Sequence, residues 1–336
     1  MELFGLNSTE LSDYCAKLGH SSFRGKQIAD WLYKKYVHDI AQMTNLPAAV
    51  REQLTGEAAI TRSEVVKESR AKDGTTKYLL KLADDETIES VLLPYSDRTS
   101  VCVSTQVGCA AGCLFCATAE CGFVRNLTAG EIVDQVLTLQ EHGGSRVTHV
   151  VFMGMGEPLL NFDNLLKAIH ILNKEVGIGM RHMTVSTVGI TPAIRKLREL
   201  DLQITLAISL HAPDDELRHK IVPLSTKFAF TDLIAACKDY ANSTKRRITF
   251  EYLLLAGVND SVEQALALAK VLHGIMCHVN LIPYNEVAGK AYRKPSKETI
   301  IEFRQALEQE GIEVTQRMER GQSVSAACGQ LKRQQI

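Results

Sequence analysis

From about residue 100 the chain repeats one unit: a short apolar run, a loop, then a longer stretch with apolar residues three and four positions apart. The short runs fall at 101–107, 147–153, 182–187, 203–209, 247–254 and 278–283, a length that suits strands. The stretches between them, at 128–142, 162–175, 190–200, 229–241 and 260–273, carry helical spacing. Strand and helix in alternation predict a parallel sheet. With six such units and no glycine-rich dinucleotide fingerprint after the first strand, the expected fold class is α/β, a partial (β/α)6 barrel of TIM type. Two strands carry more than a fold signal. In "VCVSTQV" the residues Cys102, Ser104 and Gln106 alternate with valines, and in "ITLAISLH" Thr205, Ala207, Ser209 and His211 alternate with larger apolar residues. The small, polar faces are expected to line a cavity.

The flanks follow other rules. Residues 1–56 hold helical patterns ("LSDYCAKLG", "RGKQIADWLYKKYV", "LPAAVREQLTG") and form a predicted accessory helical domain. Residues 57–98 alternate in short runs separated by "KDG" and "DDE", a predicted β-rich extension. The barrel is read over 99–300, and 301–336 as a C-terminal helix, strand and loop.

The chain has 336 residues, 45% of them hydrophobic, enough for a large core without staples. Its 38 Lys and Arg nearly cancel 39 Asp and Glu, so net charge gives no reason to expect a polyanionic partner. No apolar run approaches the ~20 residues of a membrane span, and a cytoplasmic location without membrane contact is expected. Nine cysteines, an odd number, argue against a disulfide framework and for thiols that are reduced, metal-bound or reactive.

Three of those thiols are spaced for a cluster. "GCAAGCLFCATAECGF" puts Cys109, Cys113 and Cys116 in a C-x3-C-x2-C run just after the first barrel strand, at the end where barrel active sites gather. Three thiolates on one loop can hold three irons of a [4Fe–4S] cube and leave the fourth iron open. A zinc site completed by Cys121 or a distant residue is the competing reading. Cys328, in "SAACGQL", is either a small packing residue or a reactant, and Cys15, Cys237 and Cys277 suit packing.

This run, with "FMGMGEPLLN", "STVGI", "SLHAP", "NLIPYN" and "AACGQL" in order, resembles the RlmN/Cfr family of radical S-adenosylmethionine (SAM) RNA methyltransferases over nearly the whole chain. The resemblance implies a [4Fe–4S] cluster on Cys109, Cys113 and Cys116, and SAM as methyl donor and radical source. It implies SAM contacts at Gly156, Glu157, Ser186, Ser209, Leu210, His211 and Asn285. Without it, His211 reads equally as a core or cap histidine and Asn285 as a turn residue.

Adenine C2 is electron-poor and has no lone pair, so direct displacement on the SAM methyl has no nucleophile. The resemblance implies the detour: Cys328 is methylated at sulfur, a second SAM is cleaved to a radical that activates this methyl, and the carbon is added to the base. Glu89 is then the proton acceptor, and Cys102 releases the product through a transient disulfide with Cys328. From the residues alone Cys102 reads as a buried strand cysteine and Glu89 as a solvated carboxylate. The implied partners are 23S rRNA, the tRNA anticodon loop and an electron donor such as flavodoxin, acting on a monomer. The basic stretches Lys245–Arg247, Lys290–Lys297 and Arg317 with Arg320 are candidate phosphate holders, as are Arg24, Lys26, Lys34 and Lys35. C8 methylation of the same rRNA adenosine is the rival regiochemistry, and a cluster-bearing RNA-binding protein without turnover is the rival of a different class. One departure stands out: family members often have an acidic residue before "AACGQL", where this chain has Ser323 and Ser325.

Overall fold

The computed structural model describes residues 1–334, so the last two residues of the 301–336 segment lie outside it. Three helices open the chain: α1 (Ser8–Lys17), α2 (Phe23–Tyr33) and α3 (Ala48–Glu57). Asn7 starts α1 by accepting the N–H groups of Thr9 and Glu10 while the Glu10 carboxylate returns to the Asn7 N–H, which satisfies donors a helix start leaves free. Leu11, Cys15, Ile28, Leu32 and Leu54 point into the common core.

Strands β1 (Glu64–Arg70), β2 (Thr76–Lys81) and β3 (Thr87–Pro94) form an antiparallel meander, and β3 pairs antiparallel with β4 (Thr99–Cys102). The β-rich segment is therefore the edge of the main sheet and continuous with it. The chain goes on through β5 (Gln106–Gly108), β6 (Phe123–Asn126), α4 (Ala129–Gly143), β7 (His149–Phe152), α5 (Phe162–Ile171), β8 (Met183–Thr187) and α6 (Thr191–Glu199). It continues with β9 (Thr205–Ser209), α7 (Asp215–Ile221), α8 (Phe230–Thr244), β10 (Ile248–Leu254), α9 (Val262–Leu272), β11 (Cys277–Pro283), α10 (Lys297–Gln309) and β12 (Val314–Gln316). The main sheet has ten strands in the order β1-β2-β3-β4-β7-β8-β9-β10-β11-β12, and every neighbouring pair from β4 to β12 is parallel. This is the α/β partial barrel, extended by an antiparallel edge.

The run at 101–107 is not one strand. After Cys102 the ladder survives only at Val103, whose N–H donates to Val151 O and whose carbonyl accepts the Gly154 N–H, both at 3.0 Å. The Thr105 and Gln106 N–H groups then turn to Met155 O, and Gln106–Gly108 pairs with β6 in a separate two-stranded sheet. Alternation persisted through the break because the hairpin strand β5 is as buried as β4. Of the three residues read as one cavity face, Cys102 faces a cavity; the Ser104 hydroxyl instead donates to Glu89 O at 2.7 Å.

The meander is clamped to α4 by a buried cluster. Arg62 pairs with Asp134, both with side chains 4% exposed, and Asp134 also accepts the Ser63 N–H at 2.7 Å. Among the described residues no helix is long and apolar enough to cross a membrane.

Candidate active site

The loops at the C-terminal ends of the parallel strands surround one cavity, and most of the residues picked out above line it. Cys109, Cys113 and Cys116 come from the loop between β5 and β6. Gly156 and Glu157 follow β7, Ser186 ends β8, and Ser209 and His211 end β9. Cys328 and Gly329 enter from the C-terminal tail, 212 residues after Cys116 (328 minus 116), which the tail achieves by bonding Gly329 O to the Ala117 N–H at 2.8 Å.

Burial raises all three loop thiols: Cys109 to about 12, with Cys113 and Cys116 also displaced upward. Without a bound group they keep their protons, and ligation would release them. Among the described residues no three His, Cys, Asp or Glu side chains converge where a single ion would sit. Three thiols spread around one cavity wall suit a cube, in which each thiolate binds a different iron, better than one tetrahedral zinc. Cys121 lies outside this cavity wall; its thiol donates toward Arg333 O at 3.7 Å.

Gly156 is held at φ +105°, and a Cβ there would lie 2.7 Å from the Gln106 backbone nitrogen, so only glycine fits. Gln106 in turn accepts the Glu157 N–H at 2.9 Å. The buried Glu157 carboxylate accepts from the N–H groups of Leu159 (2.9 Å) and Val188 (2.8 Å); burial dominates and raises it to about 7. Ser186 and Ser209 hydroxyls lie 3.2 Å apart. Burial lowers His211 to about 3, and its Nδ1 accepts the Leu253 N–H at 3.0 Å, so the neutral ring carries its proton on Nε2. Phe115 from the cysteine loop packs edge-on against it, 5.1 Å between ring centres.

Not every expected residue joins this wall. The Leu210 side chain is fully buried in the apolar core, and its backbone N–H donates to Glu251 O. Asn285 faces a second, adjoining cavity: its Nδ2 donates to Cys328 O at 3.4 Å and its Oδ1 accepts from Gln322. That second cavity also holds Cys102, Tyr95 and Arg98. Cys328, Arg317 and Met153 belong to both cavities, so the tail cysteine sits on the divide. Burial raises Cys102 to about 12.

Glu89 lies in neither cavity. It is fully buried, paired with Lys77 at 2.9 Å, and accepts the Lys332 N–H (3.0 Å) and the Gln334 side-chain amide (2.7 Å) of the tail. The solvated carboxylate suggested by alternation is thus corrected: the tail covers that face of β3. Arg317, read as a phosphate-holding surface residue, lines both cavities beside Cys328, whose charge is the first cause of its upward shift. Other basic candidates are engaged as well: Arg246 donates to Ile204 O, Arg247 pairs with Glu313 and Lys290 with Glu120.

Three residues went unnoticed in the sequence. Glu251, a buried carboxylate on the cavity wall, was detectable as the lone charge inside the apolar strand "ITFEYLL". Arg218, fully buried behind the loops, sits in the charged stretch "DELRHK", which reads as a solvated helix. Phe115 had no signal beyond its place between two cysteines.

Comparison with known proteins agrees with this geometry. Residues 103–269 match the Radical SAM superfamily model, and residues 1–60 match the Ribosomal RNA large subunit methyltransferase N-terminal domain. The chain is 50% identical over 332 residues to the protein of Microcystis aeruginosa (strain NIES-843) named "Probable dual-specificity RNA methyltransferase RlmN", covering 99% of this chain and 98% of that one. A protein of the same name from Picosynechococcus sp. (strain PCC 7002) is 48% identical over 330 residues, with 98% and 95% covered. The crystal structure of a radical SAM methyltransferase from Sphaerobacter thermophilus superposes with a TM-score of 0.94 at 45% identity, covering 98% of this chain and 99% of that one. The chain belongs to the RlmN family of radical SAM RNA methyltransferases, enzymes that work with a [4Fe–4S] cluster and SAM.

Proposed function

We propose that this enzyme methylates C2 of an adenosine in 23S rRNA and in the tRNA anticodon loop, with Cys328 as the methyl carrier. One observation carries the reading: Cys328 lines both cavities, the first with Cys109, Cys113, Cys116 and Glu157, the second with Cys102. That position would let one sulfur collect a methyl from the first chamber and present it to a base in the second.

Cys109, Cys113 and Cys116 would hold the cluster, and Gly156, Glu157, Ser186, Ser209 and His211 would hold SAM, the Glu157 carboxylate meeting its ammonium. When bound, the cluster supplies the electron that cleaves SAM reductively. The Cys328 sulfur first displaces the methyl from a SAM sulfonium, forming one S–C bond as another breaks. Asn285, bonded to the Cys328 carbonyl, sets the position of that loop. The flipped base would enter by the second cavity, where the guanidinium groups of Arg98 and Arg320 lie over the Tyr95 ring, 4.3 and 4.5 Å from its centre, and offer planar cations to a base or its phosphate. The carbon carried on Cys328 would be joined to C2 by the radical route, the unpaired electron would return to the cluster, and Glu89 would take the C2 proton once the tail segment over it has shifted. The Cys102 thiolate would then attack the Cys328 sulfur; an S–S bond replaces the S–C bond, the departing methylene carbon keeps the electron pair and takes up one proton to become the methyl, and the RNA leaves. The helical unit over 1–56, the extension over 57–98, the barrel over 99–300 and the tail over 301–336 divide the work of gripping RNA, framing the base pocket, binding cofactors and carrying the methyl. A cytoplasmic monomer reduced by a flavodoxin-type donor completes the proposal.

Anaerobic reconstitution followed by nucleoside mass spectrometry on both RNAs tests it. The expected product is 2-methyladenosine, absent with Cys328→Ala; 8-methyladenosine, or undiminished methylation by that variant, contradicts it.

A further inference from the structure

Arg218 on α7 is the largest fully buried side chain described, with no exposed surface. A guanidinium carries five N–H donors and a permanent charge, and burying it without an anionic partner is costly. Its Nε donates to Leu210 O at 3.1 Å, and its Nη2 to Val188 O and to Ser209 O (3.4 Å). Nη1 is buried with no partner, and among the described residues no carboxylate forms an ion pair with this side chain. Glu157 and Asp215 lie near enough to favour its charge, but neither forms an ion pair with it; each Glu157 oxygen accepts one backbone N–H, from Leu159 and Val188, and keeps room for a second donor. The protein alone leaves the guanidinium without a direct anionic partner and one N–H without an acceptor, and such a group calls for an explanation.

The answer lies on the side of the cysteine loop. Helix α7 backs that loop directly: Ile221 O, one turn beyond Arg218, accepts the Leu114 N–H at 3.0 Å, and Leu224 N–H reaches Ala111 O at 3.2 Å. Cys113 packs in one apolar cluster with Ala212, Ile221 and Val222 from the same segment. Three thiolates around a cube leave a net negative charge, and one-electron reduction adds another. Net charge and hydrogen bonds to sulfur are what set the potential of such a cluster.

We propose that Arg218 is a positioning residue that supplies the counter-charge for the thiolate-bound cluster and favours its one-electron reduction, while its carbonyl bonds lock the ends of β8 and β9 for SAM. This rests on the reading that Cys109, Cys113 and Cys116 hold the cluster. The electron comes from a low-potential one-electron donor, dithionite in the test below, and stays on the cluster until SAM is cleaved.

The test compares the reconstituted parent, Arg218→Gln and Arg218→Lys, each checked for fold by circular dichroism and for iron and sulfide content. Potentials are read by titration with viologen mediators and electron paramagnetic resonance. Loss of the charge in Arg218→Gln is expected to cut the reduced-to-oxidised ratio at a fixed ambient potential at least ten-fold, a drop of about 59 mV for one electron. Arg218→Lys keeps the charge and loses the fork, so its potential is expected to stay with the parent while SAM binds at least ten-fold more weakly. A loaded Arg218→Gln protein with the parent's potential overturns the proposal. If that variant does not fold or load, Arg218→Lys decides: a parental potential with weakened SAM upholds the proposal, and a lowered potential or unchanged SAM affinity overturns it. A parent that loads no iron fails the ligand reading itself, which is a separate result.

Discussion

At the scale of single residues the site is governed by burial. Glu157 sits at about 7 because desolvation outweighs the two N–H bonds it accepts. An acid whose folded value lies above its unfolded one binds its proton more tightly in the native state, so native stability falls as pH rises from the ordinary carboxylate range to about 7. In the proposed site the SAM ammonium would reverse this by favouring the carboxylate. SAM affinity, measured by equilibrium dialysis, is therefore expected to weaken about ten-fold for each pH unit below 7; a flat profile between pH 5 and 7 removes Glu157 from the ammonium site. Cys102, raised to about 12, is unreactive until substrate chemistry alters its surroundings. Cys102→Ala is expected to form the RNA bond and fail to break it, so denaturing gels should show a protein–RNA adduct, while the parent shows little.

At the scale of elements the contrast between β3 and β4 tells what local pattern carries. The parallel strands and their helices were legible because each buries its apolar residues against immediate neighbours in a repeating unit. The interruption after Cys102 was not, since the hairpin strand Gln106–Gly108 is as buried as the strand it follows. Glu89 was misread because the residues that cover it, Lys332 and Gln334, lie 243 and 245 positions away. No window of sequence around β3 contains that information. The three-cysteine spacing was legible as a motif and Cys328 through the family resemblance, whereas the burial of Arg218 and the place of Arg317 in the cavity wall became visible only once the loops were assembled around them. Glu89→Gln leaves Lys77 beside a neutral amide in a site with almost no exposure, so a loss of about 3 kcal/mol is expected in urea unfolding. Turnover should fall by a larger factor than this loss of folded protein explains; a decrease matching the unfolded fraction alone would reduce Glu89 to a structural residue.

At the scale of the whole molecule, the tail is the piece that joins the parts. Residues 327–334 bond to the cysteine loop at Ala117 and Thr118, to Glu286 through Gln330, and to β3 at Thr87 and Glu89. Cys328, the proposed carrier, thereby sits between two chambers that share Met153, Ile282, Arg317 and Gly329 in their walls. The N-terminal third is tied in by Asp134 on α4, which holds Arg62 and Ser63 before the meander. Asp134→Ala strands the buried Arg62 and is expected to cost about 3–5 kcal/mol of stability, read as a lowered unfolding midpoint. A midpoint within error of the parent would show that the meander is anchored elsewhere.

The central claim, that Cys328 carries the methyl group between the two cavities, is tested most directly by peptide mass spectrometry after incubating reconstituted enzyme with SAM bearing a deuterated methyl. The account predicts the label first on the peptide containing Cys328 and then, on adding RNA, in the adenosine product with matching loss from the peptide. Labelled RNA from an enzyme whose Cys328 never carries the label would contradict it.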